Sequence, residues 1–205
     1  MLVFAVAALT AGDQKLKIAA TVDGTTISMQ RVEALLTHAQ REAAREGKHF
    51  PPKGSDPYKT LQRQALDLIV YHEELEQSAA SLGITVTEQQ IEAGGRGLRE
   101  KQAGGTPSDP GEETFWRESF RGQFLYRRIF QRVTRGIHAS DREIVADYRA
   151  HADLYRLQHR SLAQARGSIE ANVIATKRNA TMARWVARMR LAFEPKIKYA
   201  SQFRA

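Results

Sequence analysis

The stretch Gly94-Gly95-Arg96-Gly97-Leu98-Arg99-Glu100 comes nearest to a phosphate-cradling loop in this 205-residue chain. A dinucleotide loop needs glycines in the order G-x-G-x-x-G, placed after a strand and opening a helix. Here Glu100 stands at the third glycine, and the segment follows Thr87-Glu88-Gln89-Gln90, a helix-capping box, rather than a strand. Nucleotide binding is not expected. The six histidines (His38, His49, His72, His138, His151 and His159) form no HExxH motif and no close pair, so no metal site is expected either. No G-x-S-x-G elbow presents a serine, and the chain has no cysteine to serve as the other common nucleophile. Glu73-Glu74 and Glu112-Glu113 are neighbours in sequence, which sends the members of each pair to different sides of a helix. Asn179-Ala180-Thr181 spells a glycosylation acceptor but falls within a helical pattern rather than a surface loop. No set of residues makes a catalytic constellation, and the expected cofactor is none.

The residue types favour binding instead. Aromatic side chains bury a large area with few rotatable bonds, and methionine adapts its shape to the partner. Two clusters of them are candidates for holding polypeptide. One is Phe115, Trp116, Phe120 and Phe124; the other is Met182, Trp185, Met189 and Phe193. Beside the second runs a narrow stripe, Arg166, Lys177, Arg184 and Arg188, which could form a charged rim for acidic clients. The same apolar side chains would equally serve as core, and the stripe as a solvated helix face.

These residues need helices to position them. Five of the six prolines fall in two loops, residues 49–57 and 104–111. Alternation around Asp23-Gly24 predicts a hairpin over 17–28, and Ser28 is placed to cap a helix that stops near Gly47. Leu61, Ala65, Leu68, Ile69, His72, Leu75, Ala79 and Leu82 recur at helical spacing up to Gly83. A third helix starts at the Thr87 capping box, and its glycines predict a short or frayed element. Residues 112–136 predict one long helix, or two meeting near Gly122. Ser140-Asp141-Arg142-Glu143 opens another through about Leu154.

The last helix spans about Ser161 to Phe193. Its mostly small face (Leu162, Ala165, Ile169, Val173, Ala180, Ala183, Ala187, Leu191) is the expected core contact, because small residues let helices approach closely. After Pro195, alternation in Lys196-Ile197-Lys198-Tyr199-Ala200 predicts a short strand.

Composition agrees with a mostly α fold: 42% of residues are hydrophobic and 26% charged, with long Ala/Leu/Arg/Glu stretches. The net charge of +8 suits nucleic acid, an anionic surface or acidic partners without choosing among them. Without cysteine the fold is indifferent to redox compartment. Leu2 to Leu9 form an apolar run too short to span a bilayer, which takes about 20 residues. It reads as the end of a signal-peptide core with no basic residue before Lys15, which predicts export and marks residues 1–14 as a signal remnant or membrane-proximal segment.

The order of the pieces resembles the N-terminal domain of the SurA-like periplasmic chaperones, the group that includes PrsA-type and PpiD-type foldases. The resemblance rests on residues 20–36 (hairpin into helix), 64–93 (second helix, Leu-Gly-Ile stop, Val-Thr restart), 138–155 (Glu-Ile…Tyr helix) and 185–203 (closing helix and Tyr-Ala strand). It implies a helical domain of five to six helices with a small N-terminal β-hairpin and a short C-terminal strand. That domain would span 15–205, with 15–137 forming the hairpin and first helices and 138–205 the closing helices. Family members that isomerise prolyl bonds insert a parvulin domain before the closing helix. Here only six residues, Tyr155 to Arg160, separate the two helices, so no isomerase is expected and no active-site residue carries over.

The implied function is ATP-independent, extracytoplasmic binding of unfolded or extended polypeptide through an apolar crevice. The alternatives are an envelope protein-interaction module and, with less in its favour, a basic nucleic-acid-binding protein. Against nucleic acid, positive charge is spread along the chain and no helix-turn-helix or zinc knuckle appears. Polypeptide is thus the expected partner and nucleic acid is not, while the apolar N-terminus would keep the chain close to a membrane. The sequence leaves the oligomeric state open.

Overall fold

The computed structural model describes residues 17–102 and 110–203, so the apolar start expected over 1–14 lies outside the described residues. β1 (Ile18–Val22) and β2 (Thr25–Ser28) make the expected hairpin. Asp23 and Gly24 both take positive φ, 45° and 88°, as the tight two-residue turn of a twisted hairpin requires. The strand expected after Pro195 is β3 (Ile197–Tyr199), which pairs antiparallel with β1 through Ala20–Tyr199, Thr21–Lys198 and Val22–Ile197. The first and last strands of the described residues therefore share one sheet of order β2-β1-β3. Lys196 adds an ion pair to Asp23 at 2.7 Å.

Among the described residues seven α-helices follow the hairpin: α1 (Met29–Arg45), α2 (Asp56–Ser81), α3 (Glu88–Gln102), α4 (Pro110–Val133), α5 (Asp141–Ala150), α6 (Ala152–Leu157) and α7 (Leu162–Phe193). The mostly α architecture is the expected one, with local departures. Ser28 occupies the cap position of α1 but makes no side-chain cap bond. α2 starts a turn and a half early, because Ser55 accepts a hydrogen bond from the Tyr58 amide and Pro57 suits the first turn. The helix expected through Leu154 breaks at His151 into α5 and α6. The break lets Tyr155 stack on Tyr148, ring centres 5.0 Å apart, while the Tyr148 hydroxyl donates to the Arg160 carbonyl.

α3 is not frayed. A Cβ at Gly94 would overlap the Phe120 ring, and one at Gly95 would sit 3.3 Å from the backbone of Trp116 and Arg117. The glycines that lower helix propensity are the contact through which α3 packs on α4. Gly122 likewise stays inside a single α4, because a side chain there would overlap the His72 imidazole.

Three apolar clusters hold these elements. The first joins the sheet to α1 and the N-terminal half of α2, through residues such as Val22, Ile27, Val32, Leu36, Leu66 and Ile69. The second joins α2, α4 and α7 (Leu75, Ala79, Leu125, Ile129, Met182, Met189), and the third joins α5, α6 and the start of α7 (Ile144, Tyr155, Ala165, Ile169). Each fully buried side chain of this size contributes about 1.5–3 kcal/mol. Between α1, α2 and α4 lies a buried polar layer in which Arg31 grips Glu118 at 2.8 and 2.9 Å. Glu73 is 4.0 Å from Arg31, and Gln77 donates to Glu73, to the Val22 carbonyl and to Thr25.

Candidate functional site

α7 has different neighbours along its length, and that decides which of its faces is free. Its first half follows the expectation: Ala165 and Ile169 are buried, with Leu162 and Val173 packed beside them. In the second half the small-residue face is not core. Ala180, Ala183 and Ala187 are exposed, and Leu191 is 70% exposed. Met182 and Met189 are buried instead, with Trp185, Val186 and Phe193 packed against α2 and α4. The reason is area: turning Met, Trp, Val and Phe inward removes far more apolar surface from water than turning alanines inward. Met182 and Met189, expected to offer themselves to clients, are therefore core in this conformation.

Two of these exposed alanines, Ala183 and Ala187, form the floor of a groove. Tyr71 of α2 and Tyr126 of α4 wall it, and Asn179, Met182, Ala183, Val186 and Ala187 of α7 line it, enclosing about 450 Å³. Tyr126 is 42% exposed. A second depression of about 480 Å³ shares Ala187 and reaches toward β3, lined among others by Val70, Glu74, Arg190, Leu191 and Tyr199. The first depression is apolar apart from its tyrosine hydroxyls and Asn179. It can bury one or two side chains of an extended partner.

Glu74 is the charged group of the second depression. It is only 2% exposed, its Oε2 makes no hydrogen bond, and the Nε of Arg190 stands 3.6 Å away, beyond hydrogen-bond range. Burial pushes its carboxyl above the usual carboxylate range, and Arg190 offsets part of that. A carboxyl whose pKa rises on folding holds its proton more tightly in the folded state. Its ionisation therefore costs stability as pH rises through that raised value. Glu74→Gln is expected to raise the thermal midpoint at neutral pH by about 2 to 4 °C, equivalent to about 1 kcal/mol, and to change it little in acid. Differential scanning fluorimetry at the two pH values checks this.

The other expected site residues sit elsewhere. Phe115 stacks on His38 with ring centres 3.5 Å apart, and Trp116, 5% exposed, meets both rings edge-on. Phe120 and Phe124 pair at 5.5 Å, with Phe120 seated at Gly94 of α3. Phe115, Trp116 and Phe120 thus serve the packing of α4 on α1 and α3, while Phe124 meets Phe120 and Arg128 of its own helix, and the two expected apolar clusters do not join into one surface. Of the charged stripe, Arg166 pairs with Asp141, while Lys177 bonds Glu143 at 2.7 Å and the His138 carbonyl at 2.9 Å. Both tie α7 to the start of α5. Arg184, bonded to Thr181, and Arg188 are exposed beside the groove-lining alanines.

Tyr71 and Tyr126 were missed in sequence because each lies just off its helix's apolar repeat; a tyrosine flanking such a repeat was the available signal. Among the described residues no group of three or more His, Asp or Glu could hold a metal, and no helix is long and apolar enough to cross a membrane.

Residues 1–102 match the family model described as the SurA-like N-terminal domain. That span includes β1, β2 and α1 to α3, and so Tyr71; α4 and α7 lie beyond it. Comparison with curated proteins and with solved structures gave no match.

Proposed function

The chain carries a SurA-like N-terminal domain over residues 1–102, and on that footing we propose that it is an ATP-independent, extracytoplasmic chaperone that holds unfolded or extended polypeptide without isomerising prolyl bonds. The observation that carries this reading is the groove of Tyr71, Tyr126, Ala183, Val186 and Ala187. It is an apolar depression on the surface whose floor is alanine while larger side chains of α7 are turned inward. Alanine leaves room for a client side chain, and the tyrosines give it aromatic walls with little loss of rotamer freedom. Burying two such side chains is worth about 3–6 kcal/mol before the cost of ordering the client. That suits capture and release without a nucleotide cycle.

The test is suppression of light scattering as a chemically unfolded client is diluted into buffer. Near-stoichiometric chain is expected to suppress aggregation, and a prolyl-isomerase assay on the same sample is expected to stay at background. No suppression at a large excess of chain would sink the proposal, and isomerase turnover would overturn its second half.

A further inference from the structure

The excess positive charge of the chain is confined to the helical segments that form the groove. Residues 123–137 and 171–193 contain nine Lys and Arg and no Asp or Glu. With the whole chain at +8, everything else sums to −1. Most of these cations are uncommitted. Lys177 pairs with Glu143, Arg190 lies over Tyr71 near Glu74, and Arg128 lies over Phe124. Arg127, Arg132, Arg135, Arg178, Arg184 and Arg188 are exposed, and among the described residues none of them has an ion pair. Four adjoin groove residues directly in the chain: Arg127 follows Tyr126, Arg178 precedes Asn179, Arg184 follows Ala183 and Arg188 follows Ala187.

Resting on the function proposed above, we infer that the client class of this groove is extended polypeptide in which carboxylates flank an apolar residue. The apolar residue enters between Tyr71 and Tyr126, and the carboxylates meet the arginines around it. Asp67, Glu74 and Glu194 line the second depression, toward β3, so the acidic flank lies over the end of the groove away from the sheet. A nucleic acid would use the same cations but leave the apolar floor without a partner. Exposed pairs of this kind are individually weak, so the charge acts mainly by steering encounter and by excluding basic clients.

The experiment measures binding of three labelled peptides by fluorescence anisotropy. They share one Phe-Leu centre and carry Glu, Ser or Lys flanks; duplex DNA and anionic phosphatidylglycerol vesicles are added as further ligands. At about 0.05 M salt the Glu peptide is expected to bind about tenfold tighter than the Ser peptide, with the Lys peptide weakest, and the gap is expected to close at about 0.5 M. Arg184→Ser with Arg188→Ser should bring the Glu peptide close to the Ser peptide, weakening the Glu peptide far more than the Ser peptide. Equal, measurable binding of all three peptides overturns the acidic preference and leaves the chaperone reading standing. No binding of any peptide overturns that reading as well. Duplex or vesicles bound more tightly than the Glu peptide overturn the inference in favour of a polyanion.

Discussion

Arg31→Ala is expected to lower the stability of the fold by about 3 kcal/mol, read as a shift of the urea midpoint at unchanged slope. Arg31 is the main counter-charge of Glu118, which is 7% exposed and sits where α1, α2 and α4 meet. His72 Nδ1 faces the same carboxylate at 3.8 Å, and the His72 ring is wedged against Gly122. Burial alone would raise the Glu118 pKa; His72 and Arg31 outweigh it and hold the carboxyl at about 2.

A pKa depressed on folding contributes stability that is present above the unfolded value and lost as pH falls toward the folded one. The wild-type midpoint should therefore drop by the equivalent of about 3 kcal/mol between about pH 4.5 and pH 2, and that share of the drop should vanish in Glu118→Gln. Replacing Arg31, Glu73 and Glu118 together by Met, Gln and Leu should recover most of the loss, since neutral side chains of similar volume leave no buried charge of this layer without its partner. An unchanged midpoint in Arg31→Ala would show that the layer is solvated.

Ala187→Trp is expected to weaken client binding about tenfold or more while leaving the urea midpoint within about 0.5 kcal/mol. Position 187 is exposed and belongs to both depressions, so an indole there occupies the space a client side chain would take without displacing core. Anisotropy of a labelled unfolded client measures the first effect and urea unfolding the second. Full binding with the indole in place would move the client site elsewhere on the chain.

The local signals in the sequence were strong where the backbone sets its own terms. Asp23-Gly24 can make the turn it makes, and the capping boxes at Thr87 and Ser140 form the reciprocal bonds their spelling requires, while the structure adds a third, Ser161 with Gln164, that was not expected from the sequence. Pro195 ends α7 and frees β3 to pair with β1. The glycines of α3 misled because propensity counts only the helix's own cost, whereas Gly94 and Gly95 are compensated by Phe120 and the backbone of α4. The faces of α7 were separable by projection, but which one is buried depends on α2 and α4, elements far away in sequence. The clusters of aromatics and methionines identified side chains able to bury large area; most bury it within the protein. The groove was legible only as a remainder, the alanine face that the larger residues left uncovered.

The chain contains no cysteine, so one introduced at Arg184, exposed beside the groove-lining Ala183 and outside both depressions, reports on the groove when labelled with an environment-sensitive fluorophore. The matched control is Ala171→Cys, exposed on the same helix away from the groove. Titration of a permanently unfolded client should shift the label at 184 to the blue with a saturable curve and leave the label at 171 unchanged. An equal response at both positions, or a response at 171 alone, would contradict the assignment of client binding to this groove.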